Sequence, residues 1–258
     1  MKQLALLLSL IVSTLWSANT AQADEEIVLG LSQDKVAITA QFDGSDILIF
    51  GAVKRETAIP DSDLDVIIAI EGPTGPVTVR RKEKKFGIWI NGAALEVNKA
   101  PAFYAVASSA PLGQILRRIE NERYAITIDR AIQSVSATVQ FGNTQAFTGA
   151  LMRIQAENGS YQLLENAVEV DQQTLFRSSI SLPSNLTEGD YSARIFLLRG
   201  GHVVADLETV IDVRKVGLER FLYNLAHEQA PIYGLLSIFI AIVAGWGASA
   251  LFRLIREG

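Results

Sequence analysis

The sequence predicts a mainly β protein with β-sandwich units outside a membrane and a single transmembrane helix near its C-terminal end. Short apolar or alternating runs, each bounded by Gly, Pro, Asp or Asn, recur at intervals of about ten residues, as they do in antiparallel sandwiches. Residues 231–252 carry no charge. At about 1.5 Å of rise per residue, a helix of this length crosses the roughly 30 Å of hydrocarbon in a bilayer. Together the two patterns predict an anchored exterior protein.

The N-terminal segment indicates export. Lys2 gives a positive start, residues 4–12 are apolar, and Ala21-Gln22-Ala23 has the small-x-small pattern of a signal-peptidase site. We predict a signal peptide of residues 1–23, and an uncleaved N-terminal anchor is the alternative. Export followed by a stop-transfer helix places the exterior domains in the bacterial periplasm and the span in the inner (cytoplasmic) membrane. The tail, residues 253–258, then stays in the cytoplasm, where its two arginines agree with the positive-inside bias.

Residues 24–110 are predicted to form the first of two immunoglobulin-like β-sandwich units. The predicted strands are residues 27–31, 36–40, 46–53, 64–70 and 77–80, and residues 86–92 and 102–107 complete the sheet pair. The basic run at residues 80–85 is interpreted as a solvated hairpin loop, and a contact to anionic lipid headgroups or to an anionic ligand is the alternative. Trp89 is predicted to be a core residue, with a ligand platform as the alternative.

A change of hydrophobic period separates the two units. Apolar residues recur at spacings of three and four after Pro111, so residues 111–122 are predicted to form a connecting helix. Residues 123–214 are predicted to form a second β-rich unit with one helix, which Asn143 caps and Asn158-Gly159 ends. Its strands are predicted at residues 174–182, 191–199 and 203–213, and Gly200-Gly201 is predicted to be the turn of the last hairpin.

The segment next to the span is predicted to be an amphipathic helix over residues 215–230. Four of its apolar residues, Leu218, Phe221, Leu222 and Leu225, fall on one helical face. Such a helix suits the headgroup level of a membrane or the surface of the exterior domain.

The transmembrane helix, residues 231–252, carries a feature that a simple anchor does not need. Ser237, Ala241, Gly245 and Ser249 are spaced by four, so they form a shallow groove along one side of the helix. A ridge of small residues lets another backbone approach closely within lipid. We therefore predict two kinds of partner: the lipid bilayer, and a partner helix from a polytopic membrane protein or from a second copy of the chain.

The sequence offers no catalytic motif, and we predict that the protein is not an enzyme and holds no cofactor or metal. The chain has no cysteine, which excludes disulfides and thiolate metal sites. A net charge of −5 disfavours a nucleic-acid partner. The two histidines, His202 and His227, have no second ligand at metal-binding spacing in the sequence.

Alternating acids at Asp61, Asp63 and Asp65 superficially resemble a calcium loop. An EF-hand loop needs a glycine at its sixth place and a glutamate at its twelfth, where this chain has Val66 and Gly72. We therefore interpret the three acids as a turn with its caps.

The chain resembles a family of alphaproteobacterial transmembrane proteins along nearly its whole length. The motifs that carry the resemblance are structural: Val28-Leu29-Gly30-Leu31-Ser32, Leu151-Met152-Arg153-Ile154, the corner from Leu182-Pro183 to Tyr191, and a single C-terminal span that ends in Gly-Trp and an arginine tail. The resemblance implies a single-pass protein that faces the periplasm, and it assigns no activity. It also implies a candidate partner, a permease of the sulfite-exporter type.

Two functional hypotheses follow from this organisation. In the first, the chain is a non-enzymatic accessory or scaffold subunit whose span packs against a membrane protein. In the second, it is a periplasmic binding or sensing module that takes a small ligand between its two β units and uses the span only as a tether.

Overall fold

The computed structural model describes residues 25–39, 41–132 and 144–257. The predicted signal peptide and the predicted helix cap at Asn143 lie outside these residues. Within them the chain forms twelve strands and six helices, which confirms the prediction of a mainly β protein.

The elements follow one another in this order. The strands are β1 (Glu26–Leu31), β2 (Lys35–Ile38), β3 (Ser45–Lys54), β4 (Leu64–Glu71), β5 (Thr74–Lys85), β6 (Ile88–Pro101), β7 (Tyr104–Ser108), β8 (Tyr161–Leu164), β9 (Glu169–Asp171), β10 (Leu175–Leu182), β11 (Gly189–Arg199) and β12 (His202–Lys215). The helices are α1 (Leu112–Ile115), α2 (Arg118–Tyr124), α3 (Ile128–Ala131), α4 (Thr144–Glu157), α5 (Leu218–Glu228) and α6 (Ala230–Glu257).

Two sheets pack face to face as a sandwich. The four-stranded sheet has the order β1-β3-β10-β9, and the six-stranded sheet has the order β2-β12-β11-β4-β7-β8. Strand β10 buries every second residue from Phe176 to Leu182, which is the pattern of a strand with one solvated face. Strand β4 is buried on both faces from Val66 to Ile70, because a further layer covers the outer side of the six-stranded sheet.

The strand order differs from the two consecutive units that the sequence predicts. Strand β3 lies between β1 and β10, and β4 pairs with β11, where Ile68 lies opposite Ile195. Both sheets therefore combine strands from residues 24–110 and 123–214, and a single apolar core that includes Ile47 and Ile180 fills the space between them. Short apolar runs predict strands, but they do not indicate which distant strand each one joins.

The third layer consists of the hairpin β5–β6 and helices α1 to α4. These elements enclose a second apolar cluster against the six-stranded sheet, with members that include Val79, Leu95, Val106, Leu151 and Phe196. Strands β8 and β9 have no counterpart among the predicted strands.

Two local predictions about the hairpin are wrong. The basic run at residues 80–85 is not a loop, because it belongs to strand β5 and the turn follows it at Phe86-Gly87. Trp89 is not a core residue, because it is 67 % exposed. The alternation of this segment predicts a strand correctly, but the strand extends beyond the layer that could bury it.

The connecting helix predicted at residues 111–122 is divided in two. Leu116 and Arg117 take extended backbone angles between α1 and α2. The amide of Arg117 donates a hydrogen bond of 3.3 Å to the carbonyl oxygen of Gly201. In a continuous helix the Arg117 amide would instead donate to a carbonyl oxygen of the preceding helical turn.

The chain leaves the sandwich through β12 and enters two consecutive helices, α5 and α6. Helix α5 lies within the predicted amphipathic segment, and α6 contains the predicted span. Gln229 separates the two, and Pro231 lies in the first turn of α6, where an amide donor has no partner within the helix in any case. Helix α6 continues through most of the predicted tail.

Candidate functional site

Helix α6 carries an apolar window that is largely exposed. The window from Ala230 to Ala248 is long and apolar enough to cross a membrane, and none of it is buried within the structure. A lone helix of this kind satisfies its own backbone hydrogen bonds, as lipid requires. Large apolar side chains such as Phe239 and Trp246 point away from the protein, 64 % and 79 % exposed.

The predicted small-residue face lies on this exposed helix. Ser237, Ala241 and Gly245 are all exposed, and Ser249 lies one turn further along. The hydroxyl of Ser237 donates a 2.8 Å hydrogen bond to the carbonyl oxygen of Tyr233, four residues earlier, so it presents little unsatisfied polarity to lipid. A Cβ added at Gly245 would meet no atom within 4 Å. The groove is therefore open to a partner, and nothing in the described chain fills it.

A second exposed feature is the far half of the β5–β6 hairpin, residues 80–91, which we call the basic arm. The last buried pair before it is Val79 opposite Leu95. Beyond this pair, six residues of β5 extend the arm by about 20 Å at the usual strand rise. A register shift between Arg80 and Lys82 marks a bulge, which bends and twists a hairpin locally.

The tip of the basic arm is apolar and exposed to solvent. Lys85 lies opposite Ile88, so Phe86 and Gly87 form a two-residue turn, with φ angles of 52° and 85°. Such turns favour Asn or Gly at the first position, and a phenylalanine there is an uncommon and strained choice. Phe86 is completely exposed, and Ile88 and Trp89 beside it are about two-thirds exposed.

Cations line the arm behind this tip. Residues 80–85 contain five basic side chains and one acid, Glu83. Glu83 pairs with Arg81 at 3.2 Å and lies 4.0 Å from Lys85. Within the described ranges no ion pair is formed by the other three cations, Arg80, Lys82 and Lys84, so the arm carries a net positive field.

A groove lies between the arm and helix α4. It has a volume of about 270 Å³, an apolar wall that includes Val79, Phe147 and Ile154, and basic side chains at its rim from β5 and from Arg153. The sequence indicated the basic run but gave no sign of this neighbour, because α4 begins almost sixty residues after the end of β5.

The root of the hairpin lies at the end of the sandwich from which the membrane helices leave. Pro73, just before β5, packs against Gly189, where an added Cβ would lie 2.3 Å from the proline ring. Gly189 is paired with Val213 of β12, two residues before that strand ends. The root of the β5–β6 hairpin therefore lies beside the exit to α5 and α6.

A buried ion cluster closes the opposite end of the sandwich. Glu25 accepts hydrogen bonds from Arg55 Nε at 2.6 Å and from Arg199 Nη2 at 2.8 Å, and the three side chains are 2 %, 6 % and 8 % exposed. Burial raises the pKa of the Glu25 carboxyl, but hydrogen bonds and charge from Arg199 and Arg55 outweigh it, so the net pKa is lowered. The cluster has no open side for a ligand, and we regard it as structural.

A second polar network fastens the helices to the six-stranded sheet. Arg194 donates to the carbonyl oxygen of Tyr124 and to the hydroxyl of Tyr104, each at 2.8 Å, and lies 3.6 Å from Glu71. The Tyr104 hydroxyl donates in turn to the carbonyl oxygen of Ile126 at 2.9 Å. Burial raises the pKa of Tyr104 to about 12. The tyrosine therefore stays a neutral donor at physiological pH.

The remaining polar candidates have structural partners. His202 lies 3.2 Å from Glu120 and also contacts Arg117, both in or beside α2. Asp65 lies in strand β4 and not in a turn, and it accepts a 2.9 Å hydrogen bond from Ser109. In the described ranges, no group of three or more His, Cys, Asp or Glu side chains is placed to hold a metal ion.

A β sandwich followed by an exposed apolar helix is the arrangement of a membrane-anchored protein, and the described residues contain one candidate span. A family model described as "putative transmembrane protein (Alph_Pro_TM)" matches residues 26–254. The chain belongs to this family, and the resemblance inferred from the sequence motifs is confirmed. No curated protein matches the chain significantly.

Proposed function

We propose that the chain is a non-enzymatic accessory or scaffold subunit of a membrane protein, anchored in the bacterial inner membrane with its β domain in the periplasm. The observation that carries the proposal is the open face of Ser237, Ala241 and Gly245 on a helix that no other described part of the chain covers. Ser249 extends this face. Association of helices in lipid depends on such close approach, because the hydrophobic effect contributes little there.

The partner in this proposal is a polytopic membrane protein, with a permease of the sulfite-exporter type as the first candidate, or a second copy of the chain. The β domain would then be held at the outer mouth of that partner. The signal-peptide pattern of residues 1–23 and the arginines of the tail support the orientation.

The alternative proposal is a small-ligand binding or sensing module. It expects the ligand between the two β units, yet strands of both units share each sheet and apolar side chains fill the space between the sheets. A ligand site would therefore lie elsewhere, and the groove beside α4 combines a suitable volume with positive charge.

The double variant Ala241→Leu, Gly245→Leu tests the accessory role. We expect it to lose co-purification with the partner in mild detergent, because the two leucines fill the groove. The protein itself should keep its expression level and melting temperature, since a Cβ at Gly245 meets no neighbour.

Gly247→Leu is the matched control. Gly247 lies two residues further on, about 200° around the helix from Gly245, and its added Cβ also meets open space. This control should retain the partner. Unchanged association of the double variant in a pull-down followed by mass spectrometry would contradict the proposal.

A further inference from the structure

The tip of the basic arm has the composition of an element that enters the interfacial region of a bilayer. Phe86, Ile88 and Trp89 are exposed together at the end of a rigid, hydrogen-bonded hairpin. Tryptophan and phenylalanine favour the headgroup level, where the ring contacts acyl carbon and the edge meets water. An apolar tip of this size has no role in the folded core, because the hairpin extends past the layer that it helps to cover.

The turn at the tip holds a phenylalanine in a backbone conformation that is unfavourable for this residue type. Phe86 takes a φ of 52°, a region in which bulky residues are rare. Asn-Gly would form the same turn without strain. Strained positions of this kind concentrate at functional surfaces, where the side chain matters more than the backbone.

The charge of the arm complements an anionic lipid surface. Arg80, Lys82 and Lys84 form no ion pair among the described residues, and they stand directly behind the apolar tip on the same strand. Basic side chains next to an apolar tip are attracted to anionic headgroups within about one Debye length, roughly 8 Å at physiological salt.

The hairpin that carries the arm begins at the end of the sandwich from which α5 and α6 leave. Pro73 packs on Gly189, which pairs with Val213 near the end of β12, and the chain enters α5 and the span a few residues later.

We propose that the basic arm is a second membrane contact, which binds anionic phospholipid headgroups of the bilayer that holds the span. Phe86, Ile88 and Trp89 enter the interface, and the cations of β5 contact phosphate groups. The arm and α6 together would fix the orientation of the sandwich on the membrane through two contacts instead of one. The proposal is independent of any partner protein.

The sequence has no cysteine, so a single introduced cysteine can be labelled at a chosen position. Ile88→Cys is labelled with an environment-sensitive NBD dye in the full-length protein, which is reconstituted in phosphatidylcholine vesicles with or without phosphatidylglycerol. We expect the emission to shift to shorter wavelength, and lipids with a spin label to quench it, only when phosphatidylglycerol is present. Salt at about 1 M, where the Debye length is near 3 Å, should remove the shift.

Two variants separate the contributions of charge and tip. Lys82→Gln with Lys84→Gln should strongly reduce the shift, because two of the five cations that attract phosphate are removed. Phe86→Asn should reduce it while the melting temperature stays the same or rises, because Asn-Gly suits the turn. A dye at Ser179→Cys, on an exposed position of β10, should report water in every vesicle.

Three results would overturn the proposal. The first is a dye that remains in water with phosphatidylglycerol present. The second is an equal shift in neutral vesicles, which would mean apolar insertion without recognition of charge. The third is a shift that occurs in native membranes and not in pure lipid, which would assign the arm to a protein neighbour.

Discussion

The most tightly held side chain at the N-terminal edge of the sandwich is Glu25. It joins Arg55, just after β3, to Arg199, at the end of β11, and so links the two sheets through one carboxylate. The predicted cleavage after Ala23 would leave Glu25 as the second residue of the mature chain. Processing at that site therefore keeps the one acid that neutralises two buried arginines.

Glu25→Gln should lower the free energy of unfolding by about 3 kcal/mol at neutral pH, because both guanidinium groups lose their buried counter-charge. The folded-state pKa of Glu25 is below its ordinary value of 4.5, so the stabilisation is complete above that pH. It is lost as the pH falls through the folded-state pKa. Denaturant unfolding of both proteins in mild detergent should show a difference that is constant above about pH 5 and shrinks in acid.

The neighbouring residue is the control for this measurement. Glu26 pairs with Lys54 at 2.7 Å, but the two side chains are 66 % and 60 % exposed. Glu26→Gln should cost no more than about 1 kcal/mol. Equal losses for the two variants would show that burial of the Glu25 cluster contributes nothing.

At the scale of single elements, the β11–β12 turn illustrates what local sequence predicts and what it does not. Gly200-Gly201 was expected to be a two-residue turn, and both residues have positive φ, 56° and 84°. The turn also packs on the linker between α1 and α2, because a Cβ at Gly201 would lie 2.8 Å from Arg117 Cγ. The diglycine predicts the turn, whereas the contact with Arg117 depends on tertiary structure.

Gly201→Ala should therefore destabilise the protein by about 1–2 kcal/mol, through a strained φ and displacement of Arg117. Gly200→Asn should be nearly neutral, because asparagine accepts the left-handed conformation and its Cβ meets open space. Thermal unfolding of the two variants provides the comparison. A neutral Gly201→Ala would mean that Arg117 moves aside without loss.

At the scale of the whole molecule, the two sheets are shared between distant parts of the chain. Strand β3 needs β10 beside it, and β4 needs β11, so residues 24–110 lack the partners that bury their apolar faces. We expect a fragment of residues 24–110 to show no cooperative unfolding, whereas residues 24–216 should unfold in one transition. Circular dichroism during heating measures both, and a fragment 24–110 that melts cooperatively would contradict this expectation.

The limits of prediction follow from the same arrangement. Most strands, α4 and the span were predictable because their signals are local: alternation, turn residues and length. The small-residue face was also visible in the sequence. The sequence did not predict the exposure of Trp89, the groove beside α4 or the partners of Glu25. Each of these depends on which strands meet across long intervals of the chain. The basic arm shows the difference most clearly: its charges were evident and its position was not.

Strand β12 gives the molecule a mechanical property. It is hydrogen-bonded on both sides, to β11 along most of its length and to β2 at its end, and it leads into the membrane helices. A load applied through the span would act along the strand axis, in shear, and would be shared by many backbone hydrogen bonds at once. The sandwich is thus joined to its anchor by one of its better secured strands, so that displacement of the bilayer or of a partner in it would move the domain as a unit.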